Sequence, residues 1–193
     1  MSEVTNILLV GVGGQGTILV SSILCKGLVE AGYDVKMSEV HGMSQRGGSV
    51  STTVRFGKKV HSPIIGEGQA DILVSFEAME ALRWLDYVKP EGKVVVNDKQ
   101  IKSAPILSGK ADYPVNAIEL LSSKIKTDVV TAEAIAMELG NVRCQNVVLL
   151  GSLIERMGLT DVNWEDIVAK TVKKAFIDLN VKALNSGRAA VLQ

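Results

Sequence analysis

Short apolar runs separated by longer amphipathic segments predict an alternation of strands and helices along this chain. Residues 7–10 form a continuous apolar run, typical of a strand buried on both faces. Apolar positions then recur at helical spacing between residues 14 and 30, and residues 35–40 again resemble a strand. This order predicts a β-α-β unit, whose crossover is expected to be right-handed.

The pattern changes after the second strand. Residues 49–56 alternate between apolar and polar, and a turn-like Phe56-Gly57-Lys58 precedes a second candidate strand at 59–62, so we expect an inserted antiparallel hairpin. Buried strands are predicted at 71–76 and 93–97, and residues 127–130 are either a short strand or an extended entry. Helices are predicted at 77–88, 116–123, 132–139, 144–157 and 163–184, the last capped by Asp161. The predicted fold is a single Rossmann-like α/β domain over residues 1–193, with a mostly parallel sheet and helices on both faces.

Composition narrows the function classes. The chain has 193 residues, of which 47% are hydrophobic and 22% charged, with a formal net charge of zero. A neutral balance argues against a nucleic-acid partner, and the apolar runs are too short to span a membrane. The start of the chain lacks the basic region of a secretory signal. Cys25 and Cys144 are too few for a disulfide framework or a four-iron cluster, so we expect a reducing, cytoplasmic setting.

Two glycine-rich loops are the most informative feature. The first glycine loop, GVGGQG at residues 11–16, follows the first strand, and the second glycine loop, HGMSQRGG at residues 41–48, follows the second. If the two strands are parallel neighbours, both loops leave the same edge of the sheet and share one crevice.

The loops predict a site for an anion such as phosphate or carboxylate. A glycine turn at the start of a helix exposes backbone N–H groups at the positive end of the helix dipole. We expect Gly11 to allow a tight turn, Gly13 a close approach of ligand, and Gly16 close helix packing. Arg46 could hold an anion through its planar guanidinium or could simply be solvated. Glu39 lies near the position of the ribose-binding acid of nicotinamide sites, which keeps that alternative open.

Few side chains near the predicted crevice could act as a general acid or base. His41 is either a general base or a locally hydrogen-bonded histidine, and Glu77 either reaches the crevice or caps a helix. Cys25 and Cys144 are expected to be small core residues, and no metal-ligand spacing is present in the sequence. Gln15 and Gln45 can orient groups or contact a partner but cannot transfer protons. The chain is therefore expected to depend on a partner for chemistry.

Together with several C-terminal motifs, these loops resemble the gamma domain of 2-oxoacid:ferredoxin oxidoreductases. The resemblance covers nearly the whole chain, 1–193, as one gamma-type domain of the pyruvate/ketoisovalerate oxidoreductase class. The Met43-Ser44-Gln45 tripeptide before Arg-Gly-Gly is similar to the small beta subunit of the indolepyruvate branch. The matching residues are 11–16, 43–48, 76–78 with Arg83, 138–141, 146–151, Asn180, Ala183 and Gly187.

The resemblance implies an auxiliary subunit, inactive alone. A large alpha subunit would carry thiamine diphosphate and the iron–sulfur clusters, and the complex would convert arylpyruvates to aryl-acetyl-CoA while reducing ferredoxin. Coenzyme A contact is implied at the loops, with no catalytic residue and no metal in this chain. A stand-alone nicotinamide- or flavin-binding protein and a non-catalytic scaffold remain alternatives, as does a homo-oligomer of the isolated chain. The implied binding residues are Gly11, Gly13, Gly14, Gln15, Gly16, Ser44, Gln45, Arg46, Gly47 and Gly48.

Overall fold

Strands and helices alternate along most of the chain, as the apolar pattern predicts. The computed structural model describes residues 4–42 and 47–192. The strands are β1 (Thr5–Val12), β2 (Asp34–His41), β3 (Ser49–Gly57), β4 (Ala70–Ser75), β5 (Val88–Asn97) and β6 (Thr127–Val130). The α-helices are α1 (Thr17–Glu30), α2 (Ala78–Arg83), α3 (Ala104–Leu107), α4 (Ala117–Lys124), α5 (Ala132–Glu138), α6 (Gln145–Met157), α7 (Trp164–Thr171) and α8 (Ile177–Ala189). Short 3₁₀ turns cover Leu85–Tyr87, Val142–Cys144 and Lys174–Phe176.

In these described residues, the strands form one mixed sheet in the order β2-β3-β1-β4-β5-β6. The pairs β1–β4, β4–β5 and β5–β6 are parallel, whereas β3 runs antiparallel to both of its neighbours, β1 and β2. The predicted α/β class, with an antiparallel pair inserted into a mostly parallel sheet, is confirmed.

Helices cover both faces of the sheet. Alternate residues of β1, among them Ile7 and Leu9, face a core shared with α1 and α6, while Leu8 and Val10 face a second core with α2 and α4. These four side chains have no exposed surface. Burial on both faces explains why β1 is a continuous apolar run rather than an alternating one.

Two details of the predicted topology are wrong. β1 and β2 are not neighbours, because β3 lies between them, with Leu9 opposite Thr52 and Thr52 opposite Glu39. The antiparallel hairpin is therefore β2–β3, and residues 59–62 do not form its second strand. Instead, the Val60 N–H donates to the carboxylate of Asp34 at 2.8 Å, which ties this segment to the start of β2. Since β1 and β2 both run antiparallel to β3, they still point the same way.

Helix boundaries also differ from the prediction in two places. The helix predicted at 77–88 ends at Arg83 and continues as a 3₁₀ turn, and the one predicted at 163–184 is divided into α7 and α8, with Val172 extended between them. The division lets each half pack on a different helix. Trp164 of α7 packs against Gly27 of α1, and Gly187 of α8 crosses α6. The cap of α7 is Asn163, which accepts from the Asp166 N–H, rather than Asp161.

Candidate functional site

The first glycine loop is braced from within by Gln15. Its Oε1 accepts from the Val12 N–H at 2.8 Å, and its Nε2 donates to the carbonyl of Phe76 at 2.7 Å. Phe76 directly follows β4, so the side chain joins the carboxyl ends of β1 and β4. Gly11 belongs to β1 rather than to a turn, and a Cβ there would lie 2.8 Å from Gln15 Oε1. Gln15 is thus an internal brace, and Gly11 makes room for it.

Backbone hydrogen bonds connect the two glycine loops. The Gly13 N–H donates to the Gly48 carbonyl at 2.8 Å, and the Gly47 N–H donates to the Gly13 carbonyl at 3.4 Å. This pairing continues the β1–β3 ladder beyond Val12 and Ser49. The expectation that both loops leave one sheet edge is confirmed, although the Gly13 N–H is used within the protein rather than exposed to a ligand. Ser44, Gln45 and Arg46, together with Met43, lie outside the described residues.

The crevice consists of two clefts that share Gly13 and Gly14. The β2-side cleft has a volume of about 400 Å³. The β5-side cleft has a volume of about 550 Å³. Gly13 and Gly14 line the β2-side cleft together with Gly16, Thr17, Ile18, Glu39, His41 and Val50. Both glycines also line the β5-side cleft with Val12, Gln15, Gly47, Lys99, Ile101 and Gln145.

The start of α1 gives the β2-side cleft an electropositive wall. Gly16 takes the N-cap position with φ 82°, no side chain caps the helix, and its first turn carries no acidic residue. Within the described part of the chain, the N–H groups of Gly14 and Gly16 donate to no protein acceptor. They stand at the positive end of a 14-residue helix, which favours an anion there. Glu39 on the facing wall opposes this preference.

Gly16 is also required by its packing, as predicted. A Cβ at this position would lie 2.4 Å from Nδ2 of Asn146, which itself donates to the Gly16 carbonyl at 3.3 Å. Asn146 is in the first turn of α6 and is 5% exposed. The contact fixes the start of α1 against α6.

A buried carboxylate network lies beneath the crevice on the α2 side. Glu77, with no exposed surface, accepts from the N–H groups of Glu80 at 2.9 Å and Ile101 at 3.0 Å, and from the hydroxyl of Tyr113. Burial, followed by the neighbouring Glu77 carboxylate, raises the pKa of the Tyr113 phenol. Glu80 accepts from the Ser49 hydroxyl at 2.6 Å, at the end of the second glycine loop. Glu77 therefore caps α2, the second of its two predicted roles, and does not reach the crevice.

The remaining candidate residues are His41 and the two cysteines. The ring of His41 lines the β2-side cleft, with Nδ1 3.3 Å from the carbonyl of its neighbour Gly42. Burial raises the pKa of the Cys25 thiol to about 11, and burial also raises the pKa of Cys144. Thiols held in the protonated form are weak nucleophiles, which supports the interpretation of both cysteines as core residues.

Sequence reasoning missed the residues of the β5-side cleft. Lys99 forms an ion pair with Glu133 at 2.7 Å, and Gln145 has a buried Oε1 without a partner in the described residues. Lys99 follows β5, so the rule that parallel strands end at one edge could have identified it. No comparable pattern signals Gln145, which begins α6 far along the chain. Within residues 4–42 and 47–192, no helix is long and apolar enough to cross a membrane, and no three His, Cys, Asp or Glu side chains form a metal-binding group.

Known proteins with this sequence pattern are subunits of oxidoreductases. The chain is 38% identical over 190 residues to indolepyruvate oxidoreductase subunit IorB of Thermococcus kodakarensis, an alignment that covers 94% of this chain and 93% of that protein. The gamma subunit of a keto/oxoacid ferredoxin oxidoreductase from Geobacter sulfurreducens superposes with a TM-score of 0.73 at 22% identity, over 97% of this chain and 98% of that one.

A third similarity concerns a longer chain. The 2-oxoglutarate:ferredoxin oxidoreductase of Magnetococcus marinus, solved with 2-oxoglutarate, coenzyme A and succinyl-CoA bound, superposes with a TM-score of 0.74 at 18% identity. The match covers 100% of this chain but 32% of that one. In that protein, the same fold is therefore one part of a larger polypeptide. The sequence profile of pyruvate ferredoxin/flavodoxin oxidoreductases matches residues 6–190, and the chain therefore belongs to this family.

Proposed function

We propose that this chain is the small subunit of an indolepyruvate:ferredoxin oxidoreductase and is inactive alone. The observation that carries the proposal is 38% identity over 94% of the chain to a protein named as an indolepyruvate oxidoreductase subunit. Its larger partner would hold thiamine diphosphate and iron–sulfur clusters, which supply decarboxylation and electron transfer to ferredoxin. The scarcity of acid–base groups at the crevice agrees with this division of labour. The proposal further takes residues 1–193 as one gamma-type domain of a cytoplasmic complex.

Within that complex, the glycine loops would contact coenzyme A. The donor set fits a phosphate group, because the unused N–H groups of Gly14 and Gly16 lie at the positive end of α1. A cleft of about 400 Å³ can accept part of such a ligand, and the structure of the Magnetococcus marinus relative contains coenzyme A. Gly14 and Gly16 would bind and orient the phosphate, and Gln15 would keep the loop rigid. Ser44, Gln45 and Arg46 would complete the site from the second glycine loop.

Coexpression with the larger subunit tests the subunit role. The purified pair should reduce ferredoxin when supplied with indolepyruvate and coenzyme A, whereas each chain alone should not. Full turnover by the larger subunit without this chain would contradict the proposal.

Arg46→Ala tests the coenzyme A contact separately. Loss of a charge-assisted hydrogen bond is expected to weaken coenzyme A use or assembly of the complex by about 1–3 kcal/mol. Lys58→Ala is the matched control, because Lys58 is exposed just after β3, at the opposite edge of the sheet. An unchanged Michaelis constant for coenzyme A, with unchanged assembly, would remove Arg46 from the site.

One alternative is a nicotinamide- or flavin-binding protein, and it rests on Glu39. This residue lines the same cleft as Gly14 and Gly16, as expected of an acid that binds ribose. However, β3 separates β1 from β2, so Glu39 is two strand spacings from β1, about 9.6 Å instead of about 4.8 Å. Calorimetry of the purified chain with NAD, NADP and FMN tests this alternative, and micromolar binding of any of them would favour it.

A scaffold role is the second alternative. It is favoured by the Gly13 N–H, which bonds to the Gly48 carbonyl rather than facing a ligand. A structure of the complex with both loops buried against protein and no ligand nearby would support it.

A further inference from the structure

A third cavity lies outside the glycine crevice, behind the first turn of α1. It has a volume of about 300 Å³ and is bounded by α1, the start of α6 and the junction between α7 and α8. Asn146 stands between this cavity and the crevice, since it lines the cavity and hydrogen-bonds to Gly16. The cavity is thus separate from the proposed coenzyme A contact.

The charged residues that line the cavity are both cations. Arg143 and Lys173 line it, and no carboxylate does. Neither cation has an ion-pair partner in the described residues, whereas Lys99, Arg156 and Arg188 each pair with a carboxylate. A third cation lies close by, because Nζ of Lys26 donates to the hydroxyl of Thr171, which also lines the cavity. Two cations in the wall, a third close by, and no carboxylate in the wall favour an anionic ligand.

Helix ends of both polarities border the cavity. Leu19, Asn146 and Asn180, which line the cavity, belong to the first turns of α1, α6 and α8. None of these helices has a side-chain cap. Asp178 in the first turn of α8 opposes the effect, but it does not line the cavity. The C-terminal end of α7, at Thr171 and Val172, also lines the cavity and has the opposite polarity, so the cations Arg143 and Lys173, rather than the helix ends, carry the preference for an anion.

The rest of the cavity lining is mainly apolar and includes the buried polar side chain of Asn180. Leu19, Val172, Phe176 and Leu179 supply hydrocarbon surface, and Phe176 remains 45% exposed. Asn180 is 8% exposed, and its Nδ2 donates to the Phe176 carbonyl at 2.8 Å. A ligand that carries one anionic group on a ring or branched apolar body matches both halves of the lining.

We propose that this cavity binds a small apolar carboxylate, with the carboxylate at Arg143 and Lys173 and the apolar body on Phe176 and Leu179. Bidentate geometry makes Arg143 the main anchor, since a guanidinium matches the two oxygens of a carboxylate. Neither the subunit role nor the coenzyme A contact is needed for this site, so its test can fail without affecting them.

Phenylacetate is the probe, and methyl NMR of the full chain reports where it binds. Phenylacetamide has the same ring without charge, and inorganic phosphate has charge without a ring. Phenylacetate should shift the methyl signals of Leu19, Val172 and Leu179 with a millimolar dissociation constant, as expected for a ligand of about ten non-hydrogen atoms. Phenylacetamide and phosphate should each bind at least about fivefold more weakly, because each satisfies only one half of the lining.

Charge variants complete the test. Arg143→Gln should weaken phenylacetate binding by about fivefold, Lys173→Gln by about twofold, and the double variant by about tenfold. Lys174→Gln is the matched control, since Lys174 is exposed beside Lys173 but does not line the cavity, and its binding should be unchanged. Equal binding of phenylacetate and phenylacetamide, equal loss in Lys174→Gln, or shifts confined to other methyl groups would each overturn the proposal. Phosphate binding as tight as phenylacetate would exclude the apolar half of the ligand.

Discussion

Replacing Gln15 by Ala should destabilise the protein even without any ligand. The side chain makes two hydrogen bonds, to the Val12 N–H at 2.8 Å and to the Phe76 carbonyl at 2.7 Å. Phe76 keeps a second partner, because Asn97 Nδ2 donates to the same carbonyl at 3.3 Å. Val12 is 6% exposed, so its N–H would be left buried without an acceptor.

The expected size of the effect follows from these two losses. A net hydrogen bond is worth about 1 kcal/mol, and an unsatisfied buried donor costs about 1–3 kcal/mol, which gives about 2–4 kcal/mol for Gln15→Ala. For a chain of this size, that loss corresponds to a decrease of about 4–16 °C in Tm. Urea unfolding followed by circular dichroism measures the free energy directly, and a thermal scan measures Tm.

Gln145→Ala is the matched control. Gln145 lines the same β5-side cleft as Gln15, but its buried Oε1 has no partner in the described residues. Its removal should therefore change the free energy of unfolding by less than about 0.5 kcal/mol or increase it. If Gln15→Ala left stability unchanged and abolished coenzyme A use by the complex, Gln15 would be a ligand contact and the brace interpretation would be refuted.

Three further predictions concern the packing and the buried ionisable groups. Gly187→Ala should lower stability by about 3 kcal/mol or more by urea unfolding, because the added Cβ would lie 1.8 Å from a carbonyl of α6. Gly42→Ala should be neutral, because no atom of residues 4–42 or 47–192 lies within 4 Å of the added Cβ. The alkylation rate of Cys25 should still rise between pH 9 and 11, as its raised pKa of about 11 requires, and a plateau by pH 9 would contradict that burial. Glu77→Gln should lower stability by about 2–4 kcal/mol. It should also let the Tyr113 phenolate form at lower pH in an ultraviolet titration, because the carboxylate that raises the pKa of Tyr113 is removed. An unchanged titration would exclude the contact between Glu77 and Tyr113.

Local patterns allowed most of the elements to be predicted. The apolar run before the first glycine loop and the helical spacing after it identify β1 and α1, because both are properties of consecutive residues. The position of β3 between β1 and β2 could not be predicted in the same way. Strand pairing is a long-range choice, and an alternating pattern over 49–56 fits a strand next to either partner. The division between α7 and α8 is similar, since no glycine or proline marks Val172 and the break reflects packing on two different helices.

The sequence predicted the location of the site more accurately than the contacts within it. Both glycine loops were expected at one edge, and Gly13 and Gly48 meet there. The roles within the loop differ, because Gln15 turns inward and the Gly13 N–H completes a ladder. Such roles depend on which groups face each other after folding, and the sequence alone does not specify them. The Ser49–Glu80 hydrogen bond, which connects the first residue of β3 to α2, spans 31 residues and has no local signal.

Amide hydrogen exchange on the reconstituted complex tests the central claim, that the two glycine loops form one anion-binding crevice. Exchange is measured with and without coenzyme A, in peptides that cover residues 13–18 and 41–50. Coenzyme A should slow exchange in both segments together, because Gly14 and Gly16 would bind its phosphate while Ser44, Gln45 and Arg46 of the second glycine loop would also contact it. Unchanged exchange in both segments, in a complex that is turning over coenzyme A, would contradict the account.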